Sequence, residues 1–288
     1  MQQITLAARA KINLTLDVLG KRSDGYHEVA MIMQSLELAD LIHITPAATL
    51  VLETDDPRLA ADETNLAYRA AVLLQREYNI RRGAHIRLEK KIPLAAGLAG
   101  GSSDAAAVLK GLARLWELPL DTATLGRLGS RLGSDVPFCL AGGTALASGR
   151  GEVITPLADL PPRPVVLAKP PFDVSTAAVY GQYRPDAVAV RPDTAAVLSA
   201  VGRGDWRMVE AGLVNVLESV TLPLYPRISA AKAAMLAAGA DACLMSGSGP
   251  TVFGLAADTA AAGRIAGQLR AGTDAAVFVT ATSPREEL

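Results

Sequence analysis

The chain of 288 residues contains little cysteine, few aromatic side chains and no excess of either charge. Its two cysteines, Cys139 and Cys243, lie in apolar runs without metal-ligand spacing, so we expect free thiols in a reducing compartment. Lys and Arg together number 28, against 29 for Asp and Glu. This balance gives no electrostatic reason to expect binding to nucleic acid or to a membrane surface.

Long apolar segments are also missing. No run approaches the roughly 20 residues of a membrane span, and the N-terminus lacks the basic and apolar stretches of a signal peptide. Half of the residues are apolar and a fifth are charged, as is typical of a packed globular protein. We therefore expect a cytoplasmic protein with either two domains or one large α/β domain.

Periodicity along the chain predicts a mixture of strands and helices. Prolines cluster at 157–164, which predicts a linker between a domain at 1–158 and another at 159–288. Alternating residues predict strands at 12–18, 29–36, 41–44, 85–92, 165–168, around 245–250 and at 275–280. Helical spacing predicts helices at 65–74, 105–116, 121–132, 194–201, 206–217, 228–238 and 259–269.

A glycine-rich segment joins a predicted strand to a predicted helix. Glycine lets a backbone approach a bulky anion, and serines at a helix start lie beside unpaired N–H groups and the positive end of the dipole. This pattern favours phosphate binding over a connection needed only for packing, although the segment has neither a Walker A lysine nor a dinucleotide fingerprint. It reads Pro93, Leu94, Ala95, Ala96, Gly97, Leu98, Ala99, Gly100, Gly101, Ser102 and Ser103.

A second glycine repeat, Ser-Gly-Ser-Gly-Pro-Thr at 246–251, is open to two interpretations. It is a hairpin turn, or it belongs to the same site if it faces the first loop.

Two charged residues stand in unusual surroundings. Lys11 begins an otherwise apolar strand, and Asp135 lies in a turn closed by Pro137. Each is compatible with an ordinary surface charge. Together they fit a kinase site, where a carboxylate accepts the proton of a hydroxyl and a lysine stabilises the developing charge. His27 follows Tyr26 in a turn, which suits recognition of a flat ring.

Three of these segments, at 93–105, 10–14 and 246–251, resemble the sequence motifs of the GHMP kinases, and the resemblance extends from Ala10 to Gly254. It implies an α+β, two-lobed fold, with an N-terminal lobe like domain 2 of ribosomal protein S5 and a ferredoxin-like C-terminal lobe. It also implies transfer of a phosphoryl group from ATP, which arrives with Mg²⁺, to a small-molecule alcohol. No dedicated metal ligand is expected, and the chain is expected to be a monomer or weak homodimer.

Further segments at 21–27, 132–138 and 142–145 resemble the GHMP kinases that act on a cytidine diphosphate sugar alcohol in the non-mevalonate isoprenoid pathway. The resemblance departs from some members at Ala95 and Ala99, where they have glycine. It implies a catalytic pair, Lys11 and Asp135. It implies that Asn65 lies near ATP together with the loop 93–103. It implies that the cytidine diphosphate end of the substrate meets Asn13, Tyr26, His27 and Tyr180, with Tyr183 as the alternative to Tyr180.

Two other functions remain open. One is a different GHMP kinase, such as a homoserine kinase, against which the Tyr26-His27 turn argues. The other is an inactive nucleotide-binding regulator, against which the presence of both Lys11 and Asp135 argues.

Overall fold

The computed structural model describes residues 3–286, which form two compact units that alternate along the chain. The first unit comprises residues up to 10, 38–93 and 99–141. The second comprises 11–37, 94–98 and the chain from 142 onward. The long strands β1 (Ile4–Lys21) and β2 (His27–Ala47) therefore contribute to both units. The domain boundary that we place at residue 158 stays a prediction.

The first unit packs four helices on a short stretch of sheet. Strand β4 pairs antiparallel with the end of β2 and parallel with β3, while α2 packs against α1 and α4. Its buried core consists of aliphatic side chains such as Ile42, Ile86 and Leu109, together with Trp116. The further elements of this unit are β3 (Leu50–Thr54), α1 (Leu66–Glu77), β4 (Gly83–Glu89), α2 (Gly100–Leu115), α3 (Thr122–Ser130) and α4 (Val136–Ala141).

The second unit contains a four-stranded antiparallel sheet in the order β11-β7-β10-β9, and it also contains β8, which pairs parallel with β1. Strand β5 pairs antiparallel with the start of β2 and with β6. The elements of this unit are β5 (Thr144–Ser148), β6 (Val153–Pro156), β7 (Pro164–Lys169), α5 (Thr176–Gln182), α6 (Thr194–Gly202), α7 (Trp206–Ala211), β8 (Val214–Asn215), α8 (Glu218–Leu224), α9 (Pro226–Ala237), β9 (Ala242–Met245), β10 (Val252–Leu255), α10 (Thr259–Gly272) and β11 (Ala276–Ala281).

Most predicted elements are confirmed, including the strand, loop and helix around the glycine-rich segment. Two predictions were wrong. The strands predicted at 29–36 and 41–44 are one strand, β2, because its pairing passes from β5 to β4 and its buried face lapses while the backbone stays extended. The helix predicted at 206–217 stops at Ala211, and the chain then forms the short strand β8.

None of the helices within residues 3–286 has both the length and the apolar character that crossing a membrane would require.

Candidate active site

Strand β1 carries a row of buried polar side chains on one face. Lys11, Asn13, Thr15 and Asp17 alternate with Ile12 and its apolar neighbours, because successive residues of a strand point to opposite faces. Lys11 is only 4% exposed, so the interpretation as a surface charge is wrong. Its Nζ donates to Oδ1 of Asn13 and to the main-chain oxygen of Gly97, both at 2.9 Å. The first motif thus places a buried ammonium against the glycine-rich loop.

The glycine-rich loop turns sharply through left-handed backbone conformations just before α2. Ala95, Gly97 and Ala99 have φ values of 49°, 73° and 60°. For the two alanines this conformation costs roughly 1 to 2 kcal/mol each, because their Cβ atoms crowd the backbone. The loop thus keeps left-handed turns at Ala95 and Ala99, which glycine would adopt without this cost. Helix α2 begins directly after Ala99, whose side chain does not cap it.

The start of α2 exposes main-chain donors. The N–H groups of the first turn, at Gly100, Gly101 and Ser102, lack intrahelical partners and carry the positive end of the helix dipole. Ser103 differs from its neighbours, because its hydroxyl donates to the main-chain oxygen of Arg9 at 2.6 Å and its N–H bonds to Ala99. Ser103 thus anchors the helix start within the protein, whereas the three preceding residues offer donors to an anion.

The second glycine repeat both forms a hairpin turn and faces the glycine-rich loop. It connects β9 to β10, which pair through Met245 and Val252. The hydroxyl of Ser246 donates to the oxygen of Gly97 at 3.0 Å. A Cβ on Gly97 would lie 2.5 Å from the main-chain oxygen of Ser246, so no larger residue fits there. Lys11 and both glycine segments consequently meet at the oxygen of Gly97.

Asn215 holds the second glycine repeat in place through hydrogen bonds to its main chain, and sequence analysis missed this residue. Its Nδ2 donates to the oxygens of Met245 at 2.8 Å and Gly247 at 2.7 Å, and its Oδ1 accepts from Leu217 N–H. The residue fell inside a segment that we predicted as helix. An asparagine within the apolar run Leu-Val-Asn-Val-Leu was the available signal.

Asp135 and Asn65 both lie at helix starts in the first unit. The main-chain oxygen of Asp135 accepts from Cys139 N–H in the first turn of α4. A Cβ on Gly133, two residues before Asp135, would lie 3.8 Å from Oγ of Ser102, so this turn lies close to the start of α2. Asn65 caps α1, since its Oδ1 accepts from Ala67 N–H at 3.0 Å. The pairing of Asp135 with Lys11 and the nucleotide contact of Asn65 stay predictions.

A buried ionic cluster, also missed from the sequence, lies beneath the start of α2. Nζ of Lys90 donates to Asp40 and, at 2.5 Å, to Asp104, and the three side chains are at most 5% exposed. A Cβ on Gly100 would lie 3.7 Å from this ammonium. Burial raises the pKa of Asp104 to about 7, Lys90 opposes the shift, and the nearby Asp40 adds to it. One lysine is thus shared by two carboxylates, and Oδ1 of Asp104 is buried with no hydrogen-bond partner.

Aromatic rings gather around His27 in the second unit. Its ring lies 5.3 Å from that of Tyr180 at a tilt of 36°, and 6.3 Å from that of Tyr183, which it meets edge-on. Tyr26 is 53% exposed, and the guanidinium of Arg150 lies 4.8 Å from its ring centre. Burial, with a smaller effect of Lys21, lowers the pKa of His27, so the imidazole is neutral near pH 7. A neutral, partly buried ring among aromatic faces suits a flat, uncharged ligand.

Family models of the GHMP kinases match two parts of the chain. One, described as the GHMP kinases N terminal domain, matches residues 65–143, and the other, described as GHMP kinases C terminal, matches 197–274. The two matches fall on opposite sides of residue 158.

Curated relatives align along nearly the whole chain. A protein from Pelotomaculum thermopropionicum is 50% identical over 285 residues, which cover 98% of this chain and 99% of the relative. One from Geobacillus kaustophilus is 48% identical over 289 residues, with 99% of each chain covered. Both relatives are named 4-diphosphocytidyl-2-C-methyl-D-erythritol kinase.

Solved structures give a concordant result. The crystal structure of a 4-(cytidine 5'-diphospho)-2C-methyl-D-erythritol kinase aligns with a TM-score of 0.83 at 39% identity, covering 97% of this chain and 99% of the other. Homoserine kinase from Cytophaga hutchinsonii aligns with a TM-score of 0.78 at 20% identity, covering 100% and 96%, which is a likeness of fold alone.

Proposed function

The chain belongs to the GHMP kinase family and, within it, to the 4-diphosphocytidyl-2-C-methyl-D-erythritol kinases, and on that premise we propose how its residues carry out the reaction. It is an ATP-dependent kinase of the non-mevalonate isoprenoid pathway, and its acceptor is the 2-hydroxyl of 4-diphosphocytidyl-2-C-methyl-D-erythritol. The observation that supports this chemistry most directly is the buried ammonium of Lys11 against the main chain of the glycine-rich loop.

ATP binds, in this proposal, with its phosphates at the glycine-rich loop from Pro93 to Ser103. The left-handed turns at Ala95, Gly97 and Ala99 lead the backbone into α2, whose first N–H groups donate to the phosphate oxygens. Ser103 contributes to ATP binding indirectly. Its hydroxyl donates to Arg9 and its N–H donates to Ala99, and these bonds hold the start of α2 in place. Asn65 caps α1 and lies near the nucleotide.

Transfer needs a proton acceptor and a stabilising cation. The substrate oxygen forms a bond to the γ-phosphorus while the bond to the bridging oxygen of ADP breaks, and the hydroxyl proton passes to the carboxylate of Asp135. Lys11 stabilises the negative charge that develops on the transferred group. Because phosphoryl transfer has a loose transition state, a weakly basic carboxylate suffices, and correct orientation matters as much as basicity.

The cytidine end of the substrate binds at the aromatic group around His27. Tyr26 and Tyr180 offer ring faces on which cytosine can stack, and His27 offers polar groups of its side chain or its main chain to the edge of the base. Asn13 contacts the substrate between its cytidine end and its reacting hydroxyl in this proposal. It is on the same strand as Lys11 and accepts a hydrogen bond from it. Tyr183 is 6% exposed and its hydroxyl is hydrogen-bonded, which favours Tyr180 as the stacking residue.

Magnesium is expected to arrive with ATP. Within residues 3–286 no three His, Cys, Asp or Glu side chains are grouped as a protein-built metal site would require. Mg²⁺ that binds with a nucleotide is commonly held by phosphate oxygens, water and one or two carboxylates. When bound, the ion neutralises charge on the β and γ phosphates.

The remaining properties are expectations that follow from composition and family. We expect a cytoplasmic enzyme, monomeric or weakly homodimeric, that needs neither nucleic acid nor a membrane surface as a partner.

A coupled assay of ADP release with several alcohols tests the proposed function. We expect turnover with 4-diphosphocytidyl-2-C-methyl-D-erythritol and none above background with homoserine or mevalonate. Turnover with homoserine alone would identify a different GHMP kinase. ATP binding without turnover on any alcohol would identify a nucleotide-binding regulator.

A further inference from the structure

Arg191 joins the far end of the polar row on β1 to the aromatic group around His27. It lies in the irregular segment before α6. Its Nη1 donates to Oδ1 of Asp17 at 2.6 Å and to the oxygen of Val18 at 3.1 Å, and its Nη2 donates to the hydroxyl of Tyr183 at 3.1 Å. One guanidinium therefore fixes a strand, a main-chain oxygen and a phenol at the same time.

Tyr183 connects Arg191 to His27, because it contacts both side chains. Its ring is buried, and its hydroxyl donates to the oxygen of Val18 at 3.4 Å while it accepts from Arg191. It meets the imidazole of His27 edge-on, with the ring planes at 83°. Edge-to-face packing is a favoured geometry for two rings, so the position of Tyr183 restricts the orientation of His27.

We propose that Arg191 is a positioning residue that sets the orientation of His27 and thereby the selectivity for cytosine. The proposal rests on the proposed function, in which His27 lies at the cytosine. Discrimination between two pyrimidines depends on matched donors and acceptors, and a small displacement of His27 weakens the match, whether its side chain or its main chain contacts the base. Arg191 itself is not placed at the substrate.

Arginine suits this task better than lysine. Its planar fork presents two nitrogens in fixed directions, here one toward Asp17 and the other toward Tyr183. A lysine keeps the attraction to Asp17 but has a single nitrogen, which cannot hold both partners in the same geometry. A lysine variant therefore distinguishes the effect of the positive charge at position 191 from the effect of the two guanidinium nitrogens with fixed directions.

Steady-state kinetics of Arg191→Met, Arg191→Lys and Tyr183→Phe test the proposal, with the cytidine substrate and its uridine analogue measured side by side. For Arg191→Met we expect KM for the cytidine substrate to rise roughly five- to fiftyfold and the preference for cytidine to narrow. KM for ATP and kcat should stay within about threefold, because neither the glycine-rich loop nor Asp135 is touched. Arg191→Lys should recover part of the loss.

The hydroxyl of Tyr183 supplies an independent check. Tyr183→Phe removes the atom that Arg191 holds, so we expect a smaller rise in the same KM. The double variant should be no worse than Arg191→Met alone, since both changes break one chain of contacts. Additive losses would show that Arg191 acts by another route and would overturn the proposal.

Arg131→Met serves as the matched control. This residue makes an exposed ion pair with Glu77 at 2.8 Å, so its loss removes the same charge without touching the aromatic group. Unchanged KM for the cytidine substrate in Arg191→Met would overturn the proposal. So would an equal rise in KM for ATP with a lowered melting temperature, which marks a structural role. Equal use of cytidine and uridine substrates by the unaltered enzyme would instead contradict the proposed function itself.

Discussion

The ammonium of Lys11 donates a hydrogen bond to the main-chain oxygen of Gly97 at 2.9 Å. This contact joins the first motif to the glycine-rich loop across 86 residues of sequence. Ser246 of the second glycine repeat donates to the same oxygen. A single carbonyl therefore fixes the position of a buried cation relative to the turn that precedes α2. Because Lys11 is almost fully buried, its charge acts with less screening by solvent than a surface lysine would.

Removing the proton acceptor should abolish most turnover. Asp135→Asn keeps the shape of the side chain, and the main-chain bond to Cys139 is retained. We expect kcat to fall by roughly 10² or more, with little change in ATP affinity. Asp121→Asn is the control, because asparagine caps a helix as well as aspartate and Asp121 caps α3 through Thr124. Near-normal kcat in Asp135→Asn would make Asp135 a structural turn residue.

A valine side chain at the helix end of the glycine-rich loop should weaken ATP binding without unfolding the protein. A Cβ on Gly101 would meet only Leu66, at 3.7 Å, whereas one on Gly100 would lie 3.2 Å from Ile92. Gly101→Val is therefore the cleaner variant, and we expect its Kd for ATP to rise by roughly tenfold or more because the branched side chain occupies the space of a phosphate. Calorimetric titration measures this, with Gly267→Val in open space on α10 as control. Wild-type affinity would remove the loop from the nucleotide site.

The ionic cluster beneath α2 should contribute strongly to stability. Lys90→Met leaves Asp40 and Asp104 buried without their cation, so we expect a loss of about 3 to 5 kcal/mol in the free energy of unfolding. The adjacent Lys91 is half exposed, and Lys91→Met should change the free energy by no more than about 0.5 kcal/mol. Urea denaturation compares the two. Equal effects would show that Lys90 is not a structural anchor.

Stability should depend on pH through Asp104. Because the pKa of its folded form is raised from 3.8 to about 7, the folded state holds a proton that the unfolded state releases between those values. The stabilisation is complete below about pH 4 and is lost as the pH rises through about 7. The unfolding free energy of the wild type minus that of Asp104→Asn should fall by about 3 kcal/mol from pH 5 to pH 8. A difference in unfolding free energy that stays constant with pH would contradict the raised pKa of Asp104.

The sequence predicts local features of the site well and long-range ones poorly. Alternation along β1 places Lys11 on the polar face, and the serines mark the start of α2. The burial of Lys11 depends on residues far away in the sequence, namely Gly97, whose oxygen accepts from its Nζ, and Gly247, where a Cβ would lie 3.4 Å from that Nζ. Lys90 resembles any surface lysine until Asp40, 50 positions away, is packed against it. Asn215 was missed because a helical spacing of apolar residues continues past the true end of α7.

The central claim is that this kinase recognises cytosine, and kcat/KM for 4-diphosphocytidyl-2-C-methyl-D-erythritol and its uridine analogue tests it most directly. Stacking on Tyr26 or Tyr180 cannot separate the two bases, whereas hydrogen bonding can, because uracil presents the opposite donors and acceptors. Each buried group left unpaired costs about 1 to 3 kcal/mol. Two mismatches predict a preference for cytidine on the order of 10² to 10⁴. Equal values for the two substrates would contradict the account.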